Sequence, residues 1–294
     1  MQLHALAIYS ISYDVNMRTK VLAMIICCHP GPTTAVTAIA TILGFGLGYP
    51  PARLILLAGV FLTGQLSIGW SNDWLDAQRD AAANRLDKPA ATGAIDARVL
   101  RAAALIALVG TIVLSLPLGV WAAIANVVAV AMGWVYNLGL KNTPWSPVPY
   151  LVCFALTPAV VTLGQVEPQG AAVWAIVAGG LLGGGAHFAN VLPDLDSDRL
   201  TGIRGFPHRL GRRGSGVTAF VLLVASAVAI TVGASGTNPV PIWIGLGCSV
   251  ILSVIGVVLV LGRIPATRLL MRLIMLSALI DAIMLAISGT ALAG

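Results

Sequence analysis

The sequence predicts an all-α, polytopic membrane protein with nine transmembrane helices, and three observations carry that prediction. The 294 residues are 58% hydrophobic and only 10% charged, with a mean hydropathy of +0.92; soluble domains carry roughly 25% charged residues. Nine stretches approach the about 20 apolar residues needed to cross a hydrocarbon core. They run approximately 30–49, 53–72, 98–116, 118–137, 147–165, 170–190, 214–233, 240–262 and 268–292. The basic residues fall almost entirely on one side of these stretches. The alternation of a membrane barrel is absent, and open sheet edges do not face lipid, so the spans are helices.

Residues 1–28 read as a cytosolic tail or surface helix. The segment is broken by Tyr13, Asp14 and Asn16 and lacks the basic start and apolar run of a cleavable signal. Residues 29–294 form the membrane domain. Its connections are short except for two acidic segments, 72–97 and 190–213, which contain nearly all the carboxylates. Arg18 and Lys20 precede the first span, and Arg79, Arg85, Lys88, Arg98 and Arg101 lie near the second-to-third connection. Lys141 follows the fourth span. Arg199, Arg204, Arg209, Arg212 and Arg213 follow the sixth, and Arg263, Arg268 and Arg272 surround the last connection. All 17 basic residues except Arg53 therefore share the face of the N-terminus, which the positive-inside rule assigns to the cytoplasm. An odd span count then places Gly294 outside. The expected location is a prokaryotic cell membrane.

The net charge of +6 follows this loop bias and gives no reason to expect nucleic acid as a partner; the lipid bilayer is the expected one. Cys27 and Cys28 are adjacent, and Cys153 and Cys248 lie in apolar runs. No pair has the spacing of a zinc or redox site, and the thiols read as buried and inert.

Asn72, Asp76 and Asp80 are spaced i, i+4 and i+8, so a continuing helix presents them on one stripe, with Asp73 beside it. Asn190, Asp194 and Asp198 repeat the spacing four spans later. A solvated helix end accounts for one such cluster, but not for the same spacing twice. Asp73, Asp76, Asp80, Asp194, Asp196 and Asp198 are six of only 11 acidic residues. Carboxylates four apart repel each other, and desolvation near the bilayer adds to the cost. Oxygen donors on short side chains suit a hard divalent ion, and magnesium takes one or two carboxylates together with water and phosphate oxygens. His187 lies near the second motif and reads as a hydrogen-bonded group or pocket wall.

These residues resemble the UbiA superfamily of intramembrane prenyltransferases. Asn72 to Asp80 is similar to its N-D-x-x-D-x-x-x-D signature, and Lys88-Pro89-Ala90-Ala91-Thr92-Gly93 to the basic stretch that follows it. Tyr136 with Lys141 resembles the family's Tyr-to-Lys segment. Asp194 to Arg199, then Gly202, Arg204 and Arg209-Leu210-Gly211, resembles its second aspartate motif. The likeness covers roughly residues 29–292. His29-Pro30 replaces the more usual Arg-Pro or Lys-Pro, and Gly205-Phe206-Pro207-His208 replaces a threonine-led stretch.

The resemblance implies nine helices around a central cavity with a cytoplasmic cap and lateral access for lipidic substrates. It implies transfer of an isoprenyl group from a prenyl diphosphate to a lipophilic, often aromatic, acceptor, with Mg2+ assisting diphosphate release. On that basis Asp73, Asp76, Asp80, Asp194 and Asp198 are the expected metal-binding catalytic residues. Asn72, Lys88, Tyr136, Lys141, Asn190, Arg199 and Arg204 are expected at the diphosphate. A membrane terpene cyclase would use the same site residues. A cation-coupled transporter is the alternative from another class, although both acidic motifs lie at one helix end instead of the midplane. The D-G-x-x-A-R element of membrane phosphotransferases is missing.

Overall fold

A computed structural model describes residues 18–195, 198, 202–234, 239–262 and 267–294. Most of the predicted tail, with Asp196, Arg199 and Arg263, lies outside the described residues.

The described residues form helices and no strand beyond one isolated bridge between Ala171 and Ala293. Helix α1 (Arg18–Cys27) meets α2 (Pro30–Gly46) at a 61° bend. His29 stands at that bend in a left-handed conformation, and Pro30, which lacks an N–H to satisfy, opens α2. Then follow α3 (Pro51–Ala82), α4 (Ala97–Ser115), α5 (Val120–Leu138) and α6 (Val148–Leu163). The chain continues through α7 (Val173–Val191), α8 (Phe206–Gly233), α9 (Pro239–Leu261) and α10 (Thr267–Ile287). Helix α4 is capped by the Asp96 carboxylate, which accepts from Arg98 N–H at 2.7 Å.

The nine predicted stretches coincide in order with α2 to α10. Length and apolarity qualify six described helices as spans, or seven if α1 and α2 are one broken span. Helix α6 has 16 residues, about 24 Å against a core of about 30 Å. Helix α7 dilutes its apolar residues with five glycines, His187 and Asn190. Two boundaries differ from the expected ones. Helix α3 runs 32 residues, through the whole first acidic motif, because Ala77, Gln78, Arg79 and Ala81 are good helix formers with no Gly or Pro among them. Helix α8 begins at Phe206 and kinks at Gly211, so the predicted start at 214 marks the segment after the kink.

Sequential helices pack on one another, and α10 returns against α2, α7 and α8 to close the bundle. At the end remote from the acidic motifs, Leu43, Leu57, Phe61, Leu118, Val160 and Ile230 are part of a buried core. Arg53 binds there to three carbonyls, of Gly164 at 2.6 Å, Leu118 at 2.9 Å and Gln165 at 3.2 Å. These cluster at helix ends, where a cation is favoured. Large apolar side chains such as Ile55, Ile106, Trp121, Val232 and Trp243 point outward, the pattern expected where lipid is the solvent.

Candidate active site

The last three turns of α3 build one wall of a polar cavity of about 160 Å3. Asn72, Asp76 and Asp80 line it as the stripe predicted from their spacing. Asn190, Asp194 and Asp198 face them across it, and Lys88, Tyr136 and Lys141 complete the predicted set. The two acidic motifs, more than 100 residues apart, thus share one chamber.

Three predicted residues fall differently. Asp73 is buried and lies behind the cavity lining, 2.9 Å from His29 Nε2 and 2.7 Å from Lys88 Nζ. Adjacent residues on a helix point about 100° apart, so Asp73 leaves the stripe and anchors two basic groups that themselves line the cavity. Arg204 is exposed and does not line the cavity. Arg199 lies outside the described residues.

The cavity is densely ion-paired. Lys141 Nζ lies 2.6 Å from both Asp76 oxygens. Arg79 bridges Asp76 at 2.8 Å and Asp80 at 3.3 Å. Gly139 makes the Lys141 contact possible: its φ of 146° ends α5 in a turn that favours glycine, and the following turn carries the lysine back over α3. Burial pushes the Lys141 amine below the usual lysine range, and Asp76 opposes that shift. Arg85 is held by Asp87 at 2.8 Å and reaches Asp194 at 3.9 Å. His208 Nε2 lies 3.1 Å from Asp198. Burial and the neighbouring Asp194 carboxylate push Asp198 above the usual carboxylate range, while His208 pulls it down.

Sequence reasoning assigned no site role to Arg79, Arg85, Asn137, Ser146, Tyr150 or His208. Asn137 is buried and donates both amide hydrogens, to Ile68 O and to Ser71 Oγ, each at 2.9 Å. Its carbonyl oxygen therefore faces Asn72 and accepts from the Asn72 amide at 2.9 Å. That leaves the Asn72 carbonyl oxygen for the cavity. Ser146 Oγ accepts from Phe206 N–H at 3.0 Å and lies 3.1 Å from His187 Nε2. The His187 ring packs 4.9 Å from Tyr150 and 5.9 Å from Tyr136, so it is a hydrogen-bonded pocket wall.

A second, apolar cavity of about 40 Å3 lies deeper, lined by Val36, Phe61, Ile68, Val130, Phe154 and Val160 among others. Ile68 is one turn from Asn72 on α3, and Phe154 stacks on Tyr150, so the apolar chamber follows the polar one into the bundle.

The donor set is chemically that of a hard-metal site: four carboxylates and an amide oxygen around one cavity. Among the described residues no three acidic, histidine or cysteine side chains cluster tightly enough to hold an ion alone. A split set fits magnesium, which takes few protein carboxylates and fills its shell from water and phosphate.

An integral membrane helical bundle with a charged chamber above an apolar one is the class these features define. Residues 31–276 match the UbiA prenyltransferase family, and the chain belongs to that family. Its fold is similar to that of a UbiA homologue from Archaeoglobus fulgidus bound to GPP and Mg2+, with a TM-score of 0.68 at 15% identity over 92% of this chain and 99% of that one. A UbiA homologue from Aeropyrum pernix K1 superposes with a TM-score of 0.67 at 18% identity, over 86% of this chain and 96% of its own. A structure described for digeranylgeranylglyceryl phosphate synthase in membranes gives 0.62 at 19% identity, over 94% and 99%. The comparison with curated proteins gave no match.

Proposed function

We propose that the protein moves an isoprenyl group from a prenyl diphosphate to a lipophilic acceptor, aromatic or otherwise, inside the bilayer. The observation that carries this reading is the single cavity in which Asp76, Asp80, Asp194 and Asp198 meet Lys88 and Lys141 directly above an apolar chamber. The A. fulgidus relative with GPP and Mg2+ supports it. By the basic-residue bias the polar cavity opens to the cytoplasm.

In this reading the polar chamber binds the diphosphate and the apolar chamber the isoprenoid tail. Magnesium held by Asp76, Asp80, Asp194 and Asp198, with the Asn72 oxygen, would neutralise the charge that develops on the leaving diphosphate. Lys88, Lys141 and Arg79 bind the diphosphate oxygens, and Arg79 takes the position expected of Arg204. Asp73 holds Lys88 and His29 in place. The C1–O bond breaks with its electron pair leaving on the diphosphate; the electron-rich acceptor bonds to C1 and loses a proton. Tyr136, Tyr150 and His187 wall the reacting carbon from water.

Membranes containing the protein, given geranyl, farnesyl or geranylgeranyl diphosphate and a panel of acceptors, are expected to form a prenylated product and free diphosphate only when Mg2+ is present. A cyclic hydrocarbon formed without acceptor would establish the cyclase reading instead. Uptake into liposomes with no change to the diphosphate would establish the transporter.

Asn137 is expected to matter without touching substrate. Asn137→Leu frees the Asn72 amide to rotate, and the Mg2+ concentration for half-maximal activity is expected to rise about 10-fold, the lower range for groups that orient metal ligands. A Mg2+ titration of the variant checks this, and an unchanged midpoint would show that Asn72 needs no such support.

A further inference from the structure

Five buried polar atoms without a partner among the described residues lie far from the carboxylate cavity, on α9 and α10: both Asp281 oxygens and the hydroxyls of Ser249, Ser253 and Ser277. All four side chains are buried. Gly245 abuts Met284, Gly256 abuts Phe220 and Gly216 abuts Val260. This antiparallel packing brings Ser249 of α9, Asp281 of α10 and Ser226 of α8 to one level. The Ser249 and Ser226 hydroxyls approach the carboxylate without reaching hydrogen-bond geometry. Ser253 and Ser277 lie one turn away on the same stripes.

Two features set this group apart. Ser115, Thr231 and Ser288 bond back to the carbonyl four residues earlier, the usual resort of a helical hydroxyl; Ser249, Ser253 and Ser277 do not. Ser226 gives its hydrogen to Ala178 O at 3.2 Å, so it turns lone pairs toward a carboxylate that also has only lone pairs when ionised. No basic residue lies on α9. Arg209, Arg212 and Arg213 precede Ser226 by at least 13 residues, about 20 Å along α8. Arg272 precedes Asp281 by nine residues, about 13 Å along α10. An ionised carboxylate in this setting needs a positive charge beside it.

We propose that Asp281, Ser226, Ser249, Ser253 and Ser277 form a second, intramembrane oxygen site that binds one dehydrated Na+ ion. A single carboxylate among neutral hydroxyls matches a monovalent cation in charge and hard oxygen donors match it in type. Both Asp281 oxygens and the Ser249, Ser253 and Ser277 hydroxyls are buried and unpaired among the described residues. The inference does not rest on prenyl transfer.

The test is thermal unfolding of the purified full-length protein in nanodiscs of zwitterionic lipid, in NaCl against choline chloride at equal ionic strength. The Tm is expected to rise saturably with Na+ by several degrees. Asp281→Asn, close in shape but neutral, is expected to abolish that response, and Asp76→Asn to retain it. Ser249→Ala and Ser277→Ala keep the carboxylate and are expected to shift the Na+ midpoint several-fold upward; they carry the test if the asparagine variant fails to fold. Equal Tm in the two salts, or an unaltered Na+ response in the serine variants, overturns the proposal in favour of water or a proton alone.

Discussion

Asp76→Asn is expected to slow Mg2+-dependent diphosphate release about 1,000-fold, the upper range for removing one group that stabilises developing charge. Asp76 sits in the middle of the stripe, faces the second acidic motif, and contacts both Lys141 and Arg79. The variant also leaves the buried Lys141 ammonium without its carboxylate. Breaking a buried pair on one side costs about 3–5 kcal/mol, more than the intact pair contributes, so lost activity alone would not separate chemistry from folding. The double variant Asp76→Asn with Lys141→Met does separate them. Removing the orphaned charge is expected to recover most of the lost Tm while leaving diphosphate release as slow as in the single variant. Near-normal release by Asp76→Asn at saturating Mg2+ would remove Asp76 from the metal site. Recovery of release in the double variant would make the defect one of stability.

What the sequence disclosed about this arrangement is what depends on local periodicity or on the solvent. Helix positions were legible because lipid leaves the backbone no alternative. The stripe of Asn72, Asp76 and Asp80 was legible because residues four apart share a helix face. The same geometry places Asp73 beside the stripe, and its grouping with the other carboxylates came from resemblance to a motif. Arg79, three residues from Asp76, was within reach of the same local rule but reads equally as one more basic residue at a helix end. Lys141 is 65 residues from Asp76; it was picked out by resemblance to a motif, and its contact depends on the turn at Gly139. Asn137, Ser146 and Tyr150 gave no signal, because their partners are set by how α3, α5, α6 and α7 pack. Asp281 is a carboxylate inside an apolar stretch, but its serine neighbours come from three helices and emerge only in the folded bundle.

The α6–α7 interface yields the second large effect, and a comparison of neighbouring glycines isolates it. A Cβ on Gly183 would run into Tyr150 O and come within 2.6 Å of Phe154 Cβ, whereas a Cβ on Gly180 meets Leu151 O at 3.4 Å and Ala155 Cβ at 3.5 Å. Replacing glycine by alanine inside a helix contributes about 1 kcal/mol of stability, so Gly180→Ala is expected to leave Tm unchanged or slightly raised. At Gly183 that gain is opposed by overpacking against a backbone oxygen that cannot rotate away, at about 1–3 kcal/mol. Gly183→Ala is therefore expected to lower Tm, and Gly183→Leu to lower it much further. The loss should extend to activity, because the separation of α6 from α7 sets the Tyr150–His187 ring contact and the Ser146–His187 hydrogen bond. Parallel unfolding and diphosphate-release measurements on the alanine pair decide the matter. If Gly183→Ala is as stable as Gly180→Ala, the close approach of α7 to α6 is not what holds this wall of the cavity.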